Sequence, residues 1–515
     1  MTARTRKRRR PHVRSVEQSA AVAMLEPLMS NVPYVNVVDE EGVEKIHQAS
    51  MRLLKDFGVL IVDFPEAVEV FRQNGAIIED DNKVKIDEET LMHFLDMAPS
   101  QWTQLARNPE RDLPLGGNHT VYAPVYGPPF VADLDRGRRS STFDDFQELT
   151  KLAYMTPEMH IAGGVLCEPN DLDLHTRHLD MLSTLATQSD KSFMGSVVFV
   201  DNAWDSYDIA RIVVGEERMA DNPAVSSTVN ASSPMRWDDR MLGAITVYAK
   251  TKQAVMFTPF IIAGAMSPST MAATVAQLNA EALFGICYAQ MVNPGAPCIY
   301  GSFLANIDMK SGAPCFGTAE NNVAMFAGGQ MARRYRLPYR SGGNFTASRI
   351  PDAQAGYESS GTMWATVQAG ANFILHSAGW LEGGLIAGYE KFIIDAEVCA
   401  MIARYARGMT LTEDDFAWDA YEETPTGQHF LGSAHTMRHY QTAFHNHKVF
   451  SMDNFEKWES EGREDTYKKA NKIWKQMLKA YEPPLLDPAV REELDAFVAK
   501  RKAEIGASKP RTPWR

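Results

Sequence analysis

Between about residues 120 and 405 the chain repeats one pattern: a short run rich in Val, Ile, Phe and Ala, then Gly, Pro or Asn, then a stretch with helical spacing. The runs are Thr120–Pro124, His160–Leu166, Phe193–Val200, Ala224–Asn230, Ala254–Ile262, Pro297–Leu304, Pro338–Asn344 and Asn372–Ala378. Strands that alternate with helices are the signature of parallel βα units. Eight of them over nearly 300 residues predict a (β/α)8 barrel. A doubly wound sheet would carry a phosphate-binding glycine turn after its first strand, and no GxGxxG occurs in that context.

The flanks divide the rest of the chain. Residues 1–35 are expected to be a basic, solvated arm, because positions 1–14 hold seven cations and no acid. With a net charge of −13 overall, everything beyond that arm sums to −20, which argues against nucleic acid as a partner of the body. Residues 36–118 predict a small α+β cap: apolar residues recur at helical spacing from Val43 to Leu54, Gly58 ends them, and short alternating segments follow at Val59–Val62, Ala76–Ile78 and Val84–Ile86. Residues 119–408 form the expected barrel. Residues 409–515 read as a helical extension, with helices over Tyr467–Tyr481 and Pro488–Ile505, that wraps the barrel or meets a partner.

No run of 18 apolar residues occurs, so no membrane span is predicted. The arm is followed by no apolar h-region, so no secretory signal is expected either. The five cysteines are scattered and lack CxxC spacing, which fits a reducing cytoplasm rather than a disulfide framework or a zinc knuckle. A metal site and a tightly bound cofactor are not expected.

In a barrel of this kind the reacting groups come from the C-terminal ends of the strands. Those ends carry Glu168, Asn230, Pro259-Phe260, Ser302-Phe303, Asn344-Phe345 and His376-Ser377. No HExxH, GxSxG or strand-end lysine accompanies them, so zinc hydrolysis, serine acyl transfer and Schiff-base chemistry have no support. The neighbourhood is aromatic instead: Tyr126, Phe260, Phe303, Phe345, Tyr357, Trp364, Trp380 and Tyr389. Several such faces turned to one point bind a quaternary ammonium, which has no hydrogen bond to offer. Each ring has core packing as its competing role. His376 ends an otherwise apolar run and precedes a Gly- and Trp-containing loop, and Glu358 begins a helix. These two are the candidate catalytic residues. Glu168 and Asn344 have loop capping as the alternative.

Several separated segments, in order, resemble the trimethylamine methyltransferase family. They are Tyr126 to Asp133 (YGPPFVAD), Pro259 to Ala265 with Ser267 to Thr270 and Asn279 to Leu283, Pro351 to Glu358 (PDAQAGYE), and Gly427 to Gly432 with His435 and Thr436. The resemblance spans about residues 35 to 485. It implies a methylated-amine donor and, as methyl acceptor, the corrinoid (cobalamin) of a partner protein docked over the barrel mouth. Some members use pyrrolysine for methylamines. This chain has none, so it resembles the group that acts on glycine betaine and related quaternary amines. For such a substrate a betaine carboxylate is expected to be held by Arg349, His376 or Asn344, and the strand-end and aromatic residues Tyr126, Glu168, Asn230, Phe260, Phe303, Phe345, Tyr357, Trp380 and Tyr389 are expected to line the donor site. The alternative is a non-catalytic barrel that binds quaternary amines. Self-association through the C-terminal helices is a further expectation.

Overall fold

The computed structural model of the chain describes residues 22–506 and 511–514. Seven of the eight runs form strands of one parallel sheet: His119–Tyr122, Phe193–Met194, Val225–Val229, Ala254–Phe257, Cys298–Gly301, Tyr339–Gly342 and Phe373–Leu375. Leu28–Met29 adds an antiparallel eighth strand against His119–Thr120. Neighbours along the sheet follow chain order from Phe193–Met194 through Phe373–Leu375, which then pairs with His119–Tyr122. The sheet is therefore curled, with helices outside it. The run at His160–Leu166 is not an extended strand. It contributes Ile161, which bridges to Ser192 and donates its N–H to the Tyr122 carbonyl at 3.3 Å.

Period-two alternation separates the two faces of these strands. Val121, Ile161, Met194, Met256, Ile299, Phe373 and Leu375 gather into one inner cluster. Their neighbours Val225, Val255, Phe257, Tyr300 and Tyr339 pack outward against the helices. Two runs are longer than their strands. Thr258-Pro259 divides the fifth, since proline cannot donate to a ladder, and Ser302 divides the sixth. Beyond these breaks Phe260–Ala263 and Phe303–Ile307 pair in parallel, and Pro314–Cys315 folds back on the latter as a small outer sheet. A second outer sheet joins Trp380–Leu381, Ile386–Gly388, Phe130–Asp133 and Gly137–Ser140.

The helix Glu40–Arg52 is capped by Asp39, whose carboxylate accepts from the Gly42 N–H at 2.7 Å. Gly58 ends the element at φ +74°, where a Cβ would stand 2.8 Å from the Val84 carbonyl. Val59–Val62, Lys83–Lys85 and Ile77–Glu79 form one sheet with Arg236–Asp238, so a segment from the barrel region crosses the boundary expected at residue 118. The arm is shorter than expected. Residues 1–21, with all seven cations, lie outside the described residues, but Leu28 is buried and paired, and Asn31 donates to the Arg407 carbonyl at 3.0 Å.

Thr466–Ala480 lies on the helix Tyr389–Ala406, where the Trp474 Nε1–H donates to Glu390 at 3.0 Å. Pro488–Gly506 is fastened by buried Arg501, whose Nε–H donates to Asp205 at 2.6 Å. Part of the basic tail expected at Lys509–Arg515 also lies outside the described residues. None of the five cysteines is bridged, and no described helix is long and apolar enough to cross a membrane.

Candidate functional site

The two outer sheets stand over the C-terminal ends of the parallel strands and turn aromatic side chains toward one another. Phe260 and Phe303 are register partners across the small sheet, with ring centroids 4.9 Å apart. Phe303 lies 5.5 Å from Phe345 and 5.6 Å from His376, and Trp380 lies 4.8 Å from Phe345 and 4.4 Å from His376. The cluster has one further ring: Phe316, 5.3 Å from Trp380 and 5.5 Å from Phe345. Sequence reasoning missed Phe316, because it reaches the cluster only when Pro314–Cys315 doubles back on Phe303–Ile307.

Backbone strain marks the same place. His376 (φ +63°) and Asn344 (φ +53°) both take the left-handed conformation at the ends of adjacent strands. Gly342 lies beneath Phe345 so closely that a Cβ there would stand 1.9 Å from the Phe345 Cζ. The position has to be glycine for the ring to sit where it does.

At the base of the cluster is Arg340, 2% exposed. Its guanidinium lies 5.3 Å from the Phe303 centroid, and a terminal N–H reaches His376 Nε2 at 3.3 Å. Among the described residues no carboxylate pairs with it. Burial lowers its pKa to about 9, which still leaves a cation at neutral pH. His376 is held well below the ordinary histidine range by burial and then by the Arg340 charge. A guanidinium can only donate, so Nε2 of His376 accepts and its proton sits on Nδ1. Nδ1 of His376, Nε of Arg340 and Nε1 of Trp380 are all buried without a hydrogen-bond partner among the described residues. All three are donors. A buried polar group left unpaired in this way calls for an explanation, and an anionic ligand supplies one. Arg340 was also missed in the sequence; its signal was a lone cation inside the otherwise uncharged strand Tyr339-Arg340-Ser341-Gly342.

Of the residues singled out from the sequence, His376, Phe260, Phe303, Phe345 and Trp380 come together. The others do not join them. Glu358 accepts from Thr346 Oγ1 at 2.6 Å and from the Ala347 N–H at 2.9 Å, and so braces the loop after Asn344. Asn344 is buried and donates to the Ser377 carbonyl at 2.6 Å, tying two strand ends together. Tyr389 donates to Asp145 and Glu148, both at 2.8 Å, and packs on Trp474 behind the site. Trp364 meets Tyr405 on the outer face. Tyr126 stands against Gly164 and Met194, near Glu168, which is paired with Arg177. Asn230 and Arg349 are exposed, and Tyr357 is 83% exposed.

The fold and the site together define an α/β protein whose strand termini bring an aromatic cluster beside a buried cation and buried N–H donors that have no partner among the described residues. The chain belongs to the trimethylamine methyltransferase family, whose model matches residues 3–506. It is 39% identical over 476 residues to the glycine betaine methyltransferase of Desulfitobacterium hafniense strain Y51, covering 92% of this chain and 99% of that one. It is 30% identical to the proline betaine:corrinoid methyltransferase of Eubacterium limosum, over 78% of this chain and 84% of the relative. The trimethylamine methyltransferase MttB of D. hafniense strain DSM 10664 / DCB-2 is 26% identical over 91% of this chain and 95% of its own.

Proposed function

We propose that this chain is a methyltransferase that takes a methyl group from a carboxylated quaternary amine of the glycine betaine type and passes it to the corrinoid of a partner protein. The observation that carries the reading is Arg340, a buried cation that no carboxylate pairs with among the described residues, set beside unpaired N–H donors at the edge of an aromatic cluster. A betaine meets both demands at once. Its carboxylate satisfies the donors through charge-assisted hydrogen bonds, and its trimethylammonium group finds the faces of Phe303, Phe345 and Trp380.

The curled sheet is read as a (β/α)8 barrel. The Ile161 bridge to Ser192 and its bond to Tyr122 support that reading, since they connect the two strands that would otherwise be its edges. The aromatic cluster then lies at the barrel mouth, the side from which a corrinoid protein would approach.

The residues present suit a transfer that needs no proton. The quaternary nitrogen keeps the electron pair of the broken C–N bond and leaves as a neutral tertiary amine. His376, neutral and donating through Nδ1, orients the carboxylate and does not act as an acid. The work of the protein is positioning: Arg340 and His376 fix one end, the rings fix the other, and one methyl is left facing outward. A Co(I) corrinoid supplies the nucleophile that accepts this methyl group.

The test is methyl transfer from a panel of quaternary amines to a reduced corrinoid, followed by absorbance, with wild type beside Arg340→Met. Donor-dependent methylation that favours carboxylated amines and is lost in the variant supports the assignment. Tight betaine binding without methylation by any donor would convert it to the non-catalytic alternative.

A further inference from the structure

In the segment His445–Val449 exposure alternates: His445, His447 and Val449 turn inward, Asn446 and Lys448 outward. The inward face meets Glu397, a buried residue in the middle of the helix Tyr389–Ala406. The two histidines stand 48 and 50 positions from that carboxylate, so no local spacing announces the meeting.

The carboxylate is divided between two tasks. Its Oε2 accepts the N–H groups of Lys448 and Val449 at 2.9 and 3.1 Å, which fixes its orientation. Its Oε1 faces His445 Nε2 at 2.9 Å and His447 Nδ1 at 3.0 Å, with the two imidazole planes 88° apart. One atom from each of the three residues lies within 4.8 Å of the others. With metal–ligand bonds of about 2.1 Å, neighbouring ligand atoms of a tetrahedral or octahedral ion stand about 3.0–3.4 Å apart. The present spacing differs from that by a few tenths of an ångström. The histidine side chains keep 22% and 18% of their exposure, which leaves an entry path.

Charge points the same way. Among the described residues no lysine or arginine pairs with Glu397, and the Lys448 ammonium reaches Glu158 instead, at 3.1 Å. Imidazoles are not permanent cations, and a buried carboxylate calls for a charge partner or a metal. A second group, Asp414, His435 and His439, lacks this feature, because Arg438 already donates to Asp414 at 3.2 Å.

We infer that Glu397, His445 and His447 bind a divalent transition-metal ion of the zinc class, which fastens the segment 445–449 to the helix Tyr389–Ala406. Two imidazole nitrogens beside one carboxylate suit zinc and disfavour calcium or magnesium, which take oxygen ligands. On binding, each imidazole carries its proton on its other ring nitrogen and offers the metal a lone pair, so neither ring gains or loses a proton. The remaining coordination position faces solvent. Between 409 and 455 the buried residues are Ala420, Ser433 and Val449, too few to hold the stretch by core packing, and a bound ion contributes the missing stability directly.

The experiment is calorimetric titration of the chelator-stripped full chain with zinc chloride, wild type beside His445→Gln/His447→Asn. The amides keep a donor toward Glu397 but are poor metal ligands. Wild type should bind zinc at least about 100-fold more tightly than the variant, and zinc should raise the melting temperature of wild type alone. Hydrogen exchange of the wild type with and without zinc removes the dependence on a well-folded variant: added protection should centre on 443–449 and on the helix around Glu397. A wild type that binds no zinc, equal binding by both proteins, or protection that appears across 414–439 instead would each overturn the inference. No methyl donor enters any of these readouts, so they stand apart from the betaine assignment.

Discussion

A terminal nitrogen of Arg340 stands 3.3 Å from Nε2 of His376, inside the protein, with no carboxylate beside either among the described residues. The pair presents donors only, and on the proposed reading the betaine carboxylate completes it. This gives the first prediction. Arg340→Met should lower kcat/KM for glycine betaine by about 30- to 1,000-fold, the equivalent of about 2–4 kcal/mol for a buried charge-assisted contact. Transfer from tetramethylammonium, which has no carboxylate, should change by less than about threefold. An equal loss with both donors would place Arg340 in the framework and not in recognition.

In the proposed complex the rings that surround the pair hold the other end of the ligand. Trp380→Leu should raise KM for a quaternary amine by about 3- to 30-fold, in keeping with a cation–π attraction of about 0.5–2 kcal/mol. Titration calorimetry with 3,3-dimethylbutyrate, a neutral isostere of glycine betaine at the quaternary centre, separates charge from shape. Its affinity should respond much less than that of the betaine.

Gly342 sets the place of Phe345. In Gly342→Ala the new methyl would meet the ring at 1.9 Å, so the ring has to move. Overpacking of this kind costs about 1–3 kcal/mol. Urea denaturation should show that loss together with strongly reduced methyl transfer. A variant of wild-type stability and activity would mean that the ring has room to give.

Acid stability should depend on two buried imidazoles. His376 is held well below its ordinary value, and His160 is lowered to about 3 by burial and then by Lys191. In the unfolded chain both bind protons near pH 6.5. Below that pH the unfolded state therefore holds more protons than the folded one, and stability falls as pH drops from about 6.5 toward the folded values. Each contributes about 1.4 kcal/mol per pH unit. His376→Asn, a residue that tolerates the same positive φ, should lose about 1.5 kcal/mol less than wild type between pH 6.5 and 5. Parallel acid dependence in the two proteins would show that His376 is not buried neutral.

Lys391 and Asp395 form a buried ion pair one turn apart, and Asp395 also accepts from the Gly379 N–H at 2.9 Å, just before Trp380. Lys391→Met strands the carboxylate and should cost about 3–5 kcal/mol. Lys391→Met/Asp395→Leu should recover much of that, as read from denaturation midpoints. A double variant no more stable than the single one would show that Asp395 matters chiefly for the Gly379 bond.

Much of the fold was written locally. Short apolar runs with glycine or proline after them are what a strand buried on both faces requires, so seven of the eight runs became strands of one sheet. His160–Leu166 did not, because Gly163-Gly164 and a single bridge at Ile161 leave no ladder to extend. The aromatic end of the site was legible for the same reason: Phe260, Phe303, Phe345 and Trp380 each lie just beyond a strand end, a position that chain order alone reveals.

Tertiary structure decided the rest. Arg349, Asn344 and Arg340 are equally plausible carboxylate ligands as letters. Only the register that sets Gly301 opposite Arg340, and Arg340 opposite Phe373, turns Arg340 inward beneath Phe303 while Arg349 points to solvent. Phe316 lies beyond the end of the predicted run Pro297–Leu304 and arrives by an antiparallel return. Periodicity reports which face of an element is buried. It does not report which other element shares that face, because that depends on closing distant segments on one another, and the chemistry of this site consists of such meetings.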